Sequence, residues 1–451
     1  MSRPTVRPER VQEPVGGRRF PAAFVWGAAT ASYQVEGAVK ADGRGESIWD
    51  RFAHTPGRVW NGDTGDVACD HYHRFREDVA LMAEIGLDAY RFSIAWPRVV
   101  PDGSGEVNQA GLDFYDRLVD ELLANGIEPY ATLYHWDLPH ALEDAGGWPV
   151  RATAEAFARY AEVVAARLGD RVGHFATINE PYVVAELGYG IGTHAPGRVE
   201  PEAALAAAHH LLLAHGLATE AIRTSAPSVE VGIVLNFHPK HPATAHMLDQ
   251  EAAILAHDRL NRWYLDPIVG RGYPEEAVCE AGWRRDEVRE GDLDLISSPL
   301  DFLGVNYYCR HLVRSPLLPP LAPAGGEETE MGWEVYPPGL VEVLEFASSR
   351  TGNLPLYVTE NGAAYPLDTA DPTSDPERVS YFERHFEAAL TAIERGLPLR
   401  GYFVWSLLDN FEWPHGYSYR FGIVHVDFDT LERRIRDSGR FVSRVARGGL
   451  P

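Results

Sequence analysis

The chain has 451 residues, of which 45% are hydrophobic and 11% aromatic, and its formal net charge is −24. This strong negative charge argues against nucleic acid or an anionic membrane as a partner, and it disfavours a polyanionic substrate. The three cysteines, Cys69, Cys279 and Cys309, have no CxxC spacing, so they predict neither a disulfide framework nor a zinc site.

The first 17 residues are rich in proline and arginine and contain no apolar core of signal-peptide length. They predict a disordered leader over residues 1–17. No apolar run approaches the roughly 18 residues that a membrane span requires. Together with the sparse cysteines, this favours a cytoplasmic protein that meets its substrate inside the cell.

Eight short apolar, β-branched and aromatic runs alternate with helical patterns along the chain. The runs cover residues 23–29, 89–96, 129–136, 174–179, 229–237, 302–308, 356–359 and 401–407. Runs that are apolar on both faces are typical of buried parallel strands. Helical patterns occupy residues 75–85, 110–125, 153–168, 201–224 and 376–395, and glycines that can end a helix follow four of them: Gly86, Gly126, Gly169 and Gly396.

This alternation predicts an α/β fold, a (β/α)8 TIM barrel with extended βα loops, formed by residues 18–451 as a single domain. The longest irregular stretch, residues 314–339, lies between units six and seven. It is either a solvated insertion or a loop that lines the rim of the site, because barrel active sites are built from loops at the C-terminal strand ends.

Two glutamates stand at the ends of runs four and seven. Glu180 lies in the segment Asn179-Glu180-Pro181, and Glu360 lies in Thr359-Glu360-Asn361. Because the C-terminal ends of barrel strands share one rim, we expect the two carboxyls to face each other. Such a pair is what glycosidic bond cleavage needs, since one carboxyl protonates the leaving oxygen while the other attacks or stabilises the sugar.

Polar planar groups and tryptophans stand at the other run ends, as a sugar site requires. These residues are Gln34, Arg91, His135, Trp136, Asn306, Tyr308, Trp405, Glu412 and Trp413. By strand alternation, Tyr33 and Tyr307 are predicted to point the opposite way, into the core.

Six segments resemble glycoside hydrolase family 1, the β-glucosidase family, over about residues 20–429. They are FVWGAATASYQVEG at 24–37, YHWDLP at 134–139, TINEP at 177–181, GVNYY at 304–308, VTENG at 358–362 and WSLLDNFEW at 405–413. The resemblance implies a retaining double displacement without metal or other cofactor. Glu360 would be the nucleophile and Glu180 the acid and then the base, with their carboxyls about 5–5.5 Å apart.

The resemblance also assigns supporting residues. Arg91 and Tyr308 match partners of the nucleophile, Asn179 matches the residue that binds the sugar 2-hydroxyl, and Asn306 joins this supporting set. The predicted sugar contacts are Gln34, His135, Trp136, Asn179, Glu412, Trp413 and Phe421, with Trp405 as the stacking floor and Trp333 as the leaving-group platform. By the same resemblance, the pocket would be closed behind Glu412, which implies exo-action on small β-glycosides. The peptide bond between Trp405 and Ser406 resembles one that is cis in the family.

Two positions depart from the family pattern. Tyr419 replaces a charged residue before Arg420-Phe421-Gly422, which we expect to alter the side of the sugar that carries O6. Ile435-Arg436 replaces Pro-Lys, which we expect to affect only packing.

Several alternatives remain open at this stage. Arg91 could be a purely structural ion-pair partner, and Trp333 could simply pack under its loop. His71 and His73, on a short extended segment, and His209, His210 and His215, on a helix, lack a complete metal-ligand spacing and are read as packing residues. Rival functions are 6-phospho-β-glycosidase, which the carboxylate of Glu412 disfavours, a non-catalytic sugar-binding barrel, and sugar transfer to other acceptors. The sequence leaves the oligomeric state open.

Overall fold

Eight parallel strands close into a barrel in the computed structural model, which describes residues 18–321 and 325–451. The barrel strands are β1 (Val25–Ala29), β2 (Ala89–Ser93), β3 (Glu128–Tyr134), β4 (His174–Asn179), β5 (Glu230–Asn236), β6 (Phe302–Asn306), β7 (Leu356–Asn361) and β8 (Leu399–Trp405). Each strand pairs with its neighbours in the chain, and β1 pairs with β8 to close the ring. The predicted TIM barrel is confirmed.

The strands form where apolar side chains occupy both faces. All five residues of β1, β2 and β6 are buried, as expected for strands between the barrel interior and a shell of helices. Most of the buried apolar side chains of the described residues belong to one continuous hydrophobic cluster. The single domain predicted over residues 18–451 stays a prediction, and the predicted leader lies outside the described residues.

Helices cover the outside of the barrel and its connecting loops. The α-helices are Ser32–Val35, Ile48–Ala53, His71–Ile85, Trp96–Val99, Gln109–Ala124, His140–Asp144, Arg151–Leu168, Pro201–Ser225, Met247–His257, Trp263–Ile268, Glu275–Ala281, Asp292–Ile296, Pro338–Thr351, Pro376–Glu394 and Asp437–Gly448. Wider π-type turns occupy Val183–Gly190 and Asp258–Arg262, and 3-10 turns occupy Trp60–Gly62 and Trp413–His415. Among the described residues, no helix is long and apolar enough to cross a membrane.

One local prediction about these helices is wrong. His71 and His73 lie in the first turn of His71–Ile85 and not on an extended segment, because the helix begins four residues before the predicted periodicity. The four glycines predicted to end helices do stand at helix ends: Gly86, Gly126 and Gly396 adopt the left-handed conformation, and Gly169 follows Arg151–Leu168 with a φ of −69°.

Two short strand pairs lie outside the barrel. Lys240–Pro242 pairs in parallel with His311–Val313, and Val424–Val426 pairs with Arg433–Ile435 in antiparallel fashion. The first pair joins the loops that follow β5 and β6. It therefore fixes the positions of two loops at the rim where the glutamates lie.

A buried ion pair ties the C-terminal segment to the loop after β8. Arg436 donates two hydrogen bonds to the carboxylate of Asp409, at 2.7 and 2.8 Å, and both side chains are buried. Burial alone would raise the pKa of Asp409, but Arg436 outweighs it and holds that pKa well below its usual range. The expectation that the change at residues 435–436 affects only packing is therefore wrong.

Breaking this pair should destabilise the fold. Arg436→Met is expected to lower the free energy of unfolding by about 3–5 kcal/mol, because it leaves a buried carboxylate without its main cation. Thermal unfolding at neutral pH measures the loss. Arg434→Met is the matched control: Arg434 lies on the strand that ends just before Arg436 and forms an exposed pair with Glu432, so its loss should cost at most about 1 kcal/mol. Equal melting temperatures for the two variants would contradict a stabilising role for the Asp409 pair.

Candidate active site

Two glutamates lie at the C-terminal rim of the barrel, at the ends of β4 and β7. The pairing register shifts next to each of them, between β4 and β5 after Ala176 and between β6 and β7 after Val305. Such bulges redirect side chains at barrel rims. Glu180 also has a φ of 48°, in the left-handed region that a Cβ disfavours, so its backbone is held there by its surroundings. Both carboxyl side chains are buried.

Glu360 accepts hydrogen bonds from a cation and a phenol. Arg91, on β2, donates from Nη1 to Oε1 at 2.6 Å, and the Tyr308 hydroxyl donates to Oε2 at 2.8 Å. Burial and the nearby carboxylate of Glu360 raise the pKa of Tyr308 well above its ordinary value, so the phenol keeps its proton. Both partners stabilise the ionised form of Glu360.

Glu180 lies in a different environment. Its Oε1 accepts one hydrogen bond, from Asn306 Nδ2 at 2.6 Å. The pKa of Glu180 is raised to about 8, chiefly because burial disfavours the charge and secondly because the carboxylate of Glu360 repels it. At neutral pH a carboxyl with such a pKa still holds its proton, and two neighbouring acids with unlike surroundings can take different roles.

Asn179 connects the surroundings of the two glutamates. Its Oδ1 accepts from Arg91 Nη2 at 2.7 Å and from Asn306 Nδ2 at 3.2 Å. Asn306 therefore contacts both Asn179 and Glu180, while Arg91 contacts both Asn179 and Glu360. The four strands β2, β4, β6 and β7 are thus joined by one side-chain network.

A second set of polar residues lies around Glu412. Gln34 donates from Nε2 to Glu412 Oε2 at 3.3 Å and to the Phe411 carbonyl at 2.9 Å. Burial and the charge of Glu360 raise the pKa of Glu412 to about 8. Among the described residues, Gln34 Oε1 and His135 Nδ1 are buried without a hydrogen-bond partner. Such atoms in a cavity wall mark places where a polar ligand can complete the bonding.

Three tryptophans and a histidine form the aromatic wall. His135 stacks between Trp405 and Trp413, with ring centroids 5.8 and 6.0 Å away. Burial and the charge of Arg91 lower the pKa of His135 well below its ordinary value, so the imidazole is neutral. Trp136 packs on Trp413 at 4.6 Å, and its indole N–H donates to the Asn179 carbonyl. The Trp405–Ser406 bond is cis, as predicted.

These groups surround a cavity of about 420 Å³. Ten predicted residues line it: His135, Trp136, Glu180, Tyr308, Trp333, Glu360, Trp405, Glu412, Trp413 and Phe421. Four others, Gln34, Arg91, Asn179 and Asn306, lie behind this lining and hold it by the hydrogen bonds described above. The structure thus brings the whole predicted set together.

The irregular stretch at residues 314–339 reaches the cavity through Trp333. Its indole lies 5.2 Å from Tyr308 and 6.2 Å from Phe421, measured between ring centroids. The loop is fixed there because Arg310 forms a two-pronged ion pair with Glu334, at 2.7 and 2.8 Å. The sequence left two interpretations of this stretch open. Residues 331–333 fit the second one, in which the stretch forms a loop at the rim of the site.

Sequence reasoning missed several lining residues. Asn236 and His238 lie at the end of β5, the one predicted run for which no end residue was singled out, so the strand-end rule could have found them. His194, His311 and His415 also line the cavity, but they lie on loops without a periodic signal. Tyr419, one of the two departures from the family pattern, joins the same wall.

The residues predicted to be core are buried. Tyr307 donates to the Tyr336 carbonyl, and Tyr33 stacks on Trp413 with an interplanar angle of 10°. The alternation argument fails for Tyr33, however, because Ser32–Val35 is a helical turn and not a strand. His209 and His210 have hydrogen-bond partners in the helix layer, Asp292 and the Trp148 carbonyl respectively, which agrees with their packing role.

Comparisons with known proteins place the chain in one family. The model of the family described as Glycosyl hydrolase family 1 matches residues 17–449. Beta-glucosidase A of Acetivibrio thermocellus is 47% identical over 437 residues, covering 94% of this chain and 98% of that protein. A bifunctional beta-D-glucosidase/beta-D-fucosidase of Bifidobacterium breve is 45% identical over 455 residues, covering 93% and 96%.

A solved structure supports the same family assignment. The beta-glucosidase from Thermotoga maritima in complex with glucoimidazole superposes with a TM-score of 0.91 at 46% identity, covering 95% of this chain and 99% of that one.

Proposed function

Because the chain belongs to glycosyl hydrolase family 1 and is a β-glucosidase of that family, we propose that it acts as a retaining exo-enzyme. Its substrates would be cellobiose, short cello-oligosaccharides and aryl β-glucosides, from which it removes one terminal glucosyl unit at a time. Such an activity belongs to carbohydrate metabolism, in the breakdown of cellulose-derived oligosaccharides. The observation that carries the proposal is the unequal pair of buried carboxyls, Glu180 and Glu360.

In the first step, Glu360 is the nucleophile. Its carboxylate, kept ionised by Arg91 and Tyr308, attacks the anomeric carbon and forms a glycosyl ester. The bond from that carbon to the leaving oxygen breaks, and Glu180 gives its proton to this oxygen. The raised pKa of Glu180 supports the role, because the group still holds its proton at neutral pH.

In the second step, water replaces the departed group. Esterified Glu360 carries no charge, so its repulsion of Glu180 is gone; the pKa of Glu180 then falls, which favours its ionised form. It takes a proton from the attacking water, whose oxygen bonds to the anomeric carbon while the ester bond breaks. Two displacements at one carbon return the original anomeric configuration.

The nonreducing sugar would lie against Trp405, with its hydroxyls facing Gln34, His135 and Glu412. The buried atoms Gln34 Oε1 and His135 Nδ1, which lack partners among the described residues, suit this contact because hydroxyls both donate and accept. Trp136 and Trp413 would complete the wall, and Asn179 would bind the 2-hydroxyl. Trp333 and Phe421 would contact the leaving group, on the side of Tyr308.

Side activity on β-galactosides and β-fucosides is part of the proposal. One relative, from Bifidobacterium breve, is named for glucosidase and fucosidase activity together. A 6-phosphorylated sugar is disfavoured because Glu412 would face its phosphate, and the described residues that line the cavity include neither lysine nor arginine. We further propose a cytoplasmic location, supported by the sparse, unpaired cysteines.

A substrate panel tests the proposal. Purified protein should release p-nitrophenol rapidly from the β-D-glucoside, more slowly from the galactoside and fucoside, and not from the 6-phosphoglucoside. Cellotriose labelled at its reducing end should first give free glucose and labelled cellobiose. Release from the phosphorylated substrate, or labelled glucose as the first product, would contradict the specificity or the exo-action respectively. No release from any substrate by folded protein would favour a sugar-binding role.

A further inference from the structure

Three potential metal ligands lie close together beside the cavity, and two of them belong to its lining. His238 follows β5, and Cys309 and His311 follow β6. One ligand atom from each side chain lies within 4.8 Å of the other two, and Cys309 Sγ is 3.5 Å from His238 Nδ1. A tetrahedral zinc ion, with Zn–S of about 2.3 Å and Zn–N of about 2.0–2.1 Å, places such a sulfur and nitrogen about 3.5 Å apart.

The backbone holds these side chains in place. The His311 N–H donates to the Pro239 carbonyl at 2.9 Å, within the small sheet formed by Lys240–Pro242 and His311–Val313. Asn261 binds the backbone of His238 from both sides, accepting from its N–H at 3.2 Å and donating to its carbonyl at 2.9 Å. The backbone of the three residues is therefore fixed, as a metal site requires. The side chains must still exchange partners, since His238 Nδ1 contacts the Cys309 carbonyl at 3.1 Å and would have to leave it for an ion.

We propose that His238, Cys309 and His311 form a binding site for a divalent transition-metal ion of the zinc class. Two imidazoles and a thiolate suit such borderline-soft ions and not magnesium or calcium, which require oxygen ligands. Binding would deprotonate the Cys309 thiol. His238 and His311 also line the cavity, so the fourth coordination position faces it and would hold water.

Lys240 competes with the ion for His311. Its amine lies 2.7 Å from His311 Nδ1 and donates to it, so the ring proton is on Nε2 and neither nitrogen is free for a metal. Metal binding requires this amine to move aside. Lys240→Met removes the competing group and keeps the length of the side chain, so it should tighten binding several-fold.

Cobalt is the probe, because a cobalt–thiolate bond gives a charge-transfer absorption in the near ultraviolet that hydrolysis does not affect. Chelator-washed protein titrated with Co²⁺ should show this band with one equivalent bound, and Zn²⁺ should remove it. Cys309→Ser should abolish the band and weaken zinc binding by at least about 100-fold. Cys279→Ser, which alters an exposed cysteine outside the cluster, is the matched control and should change neither.

The measurements separate the outcomes. Absence of the band in the unaltered protein, or its persistence in Cys309→Ser, would overturn the site. Weaker binding by Lys240→Met would also overturn it as a three-ligand site, since the amine would then be a ligand. Because the readout is spectroscopic, a failure here is independent of the proposed hydrolytic activity.

Discussion

Glu360→Gly is expected to lower hydrolysis of the aryl β-glucoside by about 10⁵-fold or more, because the covalent intermediate cannot form. Removing the side chain leaves space beside the anomeric carbon, between Arg91 and Tyr308, where a small anion can bind. Added azide or formate should therefore restore release of the phenol. Since Glu180 still protonates the leaving oxygen and only one displacement occurs, the azide product should be the α-anomer.

Two measurements check this result: the rate of phenol release against azide concentration, and the anomeric configuration of the glycosyl azide by NMR. Glu328→Gly, at an exposed glutamate of the loop that carries Trp333, is a matched control and should retain full activity without azide. A β-configured azide product, or loss of activity that no anion restores, would remove Glu360 from the nucleophile role.

Glu180→Ala is expected to separate substrates by their leaving groups. Cellobiose, whose sugar oxygen needs a proton to depart, should lose about 10²–10⁴-fold in kcat/KM, the usual contribution of a general acid. A dinitrophenyl glucoside, which departs as a stable anion, should keep its rate of glycosylation far better. The measurement is kcat/KM of the variant for both substrates. An equal loss of kcat/KM on the two substrates would argue against the acid role of Glu180.

The pH profile of the same variant carries further information. The pKa of Glu180 is raised to about 8, so the protonated acid is lost as the pH rises through that value and kcat/KM of the unaltered enzyme should fall on the alkaline side. In Glu180→Ala this alkaline fall should disappear. Glu412→Gln is the matched control, because the pKa of Glu412 is also raised to about 8. If the fall disappears in Glu412→Gln and persists in Glu180→Ala, Glu412 and not Glu180 controls it.

Much of the barrel could be predicted because its strands are buried on both faces. Burial requires continuous apolar runs, and these stand out in a chain whose other segments have helical periodicity. The first residues of the helices are harder to predict from the sequence. His71–Ile85 begins with His-Tyr-His, in which a polar histidine, His71, is buried beside Tyr72, so hydrophobic periodicity alone does not reveal this first turn.

The site was predictable to the extent that its residues end strands. Glu180 and Glu360 follow this rule, and so does Asn236, which was overlooked. His194, His311 and His415 could not be found in this way, because tertiary contacts and not local periodicity bring these loop residues to the cavity. The Asp409–Arg436 pair illustrates the same limit: its partners are 27 residues apart in sequence, and no local pattern links them.

The network from Glu360 through Arg91, Asn179 and Asn306 to Glu180 has a consequence for the whole catalytic cycle. Before reaction, the guanidinium of Arg91 is balanced by ionised Glu360 while Glu180 is neutral. In the proposed glycosyl ester, Glu360 is neutral and ionised Glu180 provides the balance. These three groups thus carry no net charge in either state, so the cycle never leaves the buried guanidinium of Arg91 without a carboxylate to balance it, a situation that would cost several kcal/mol.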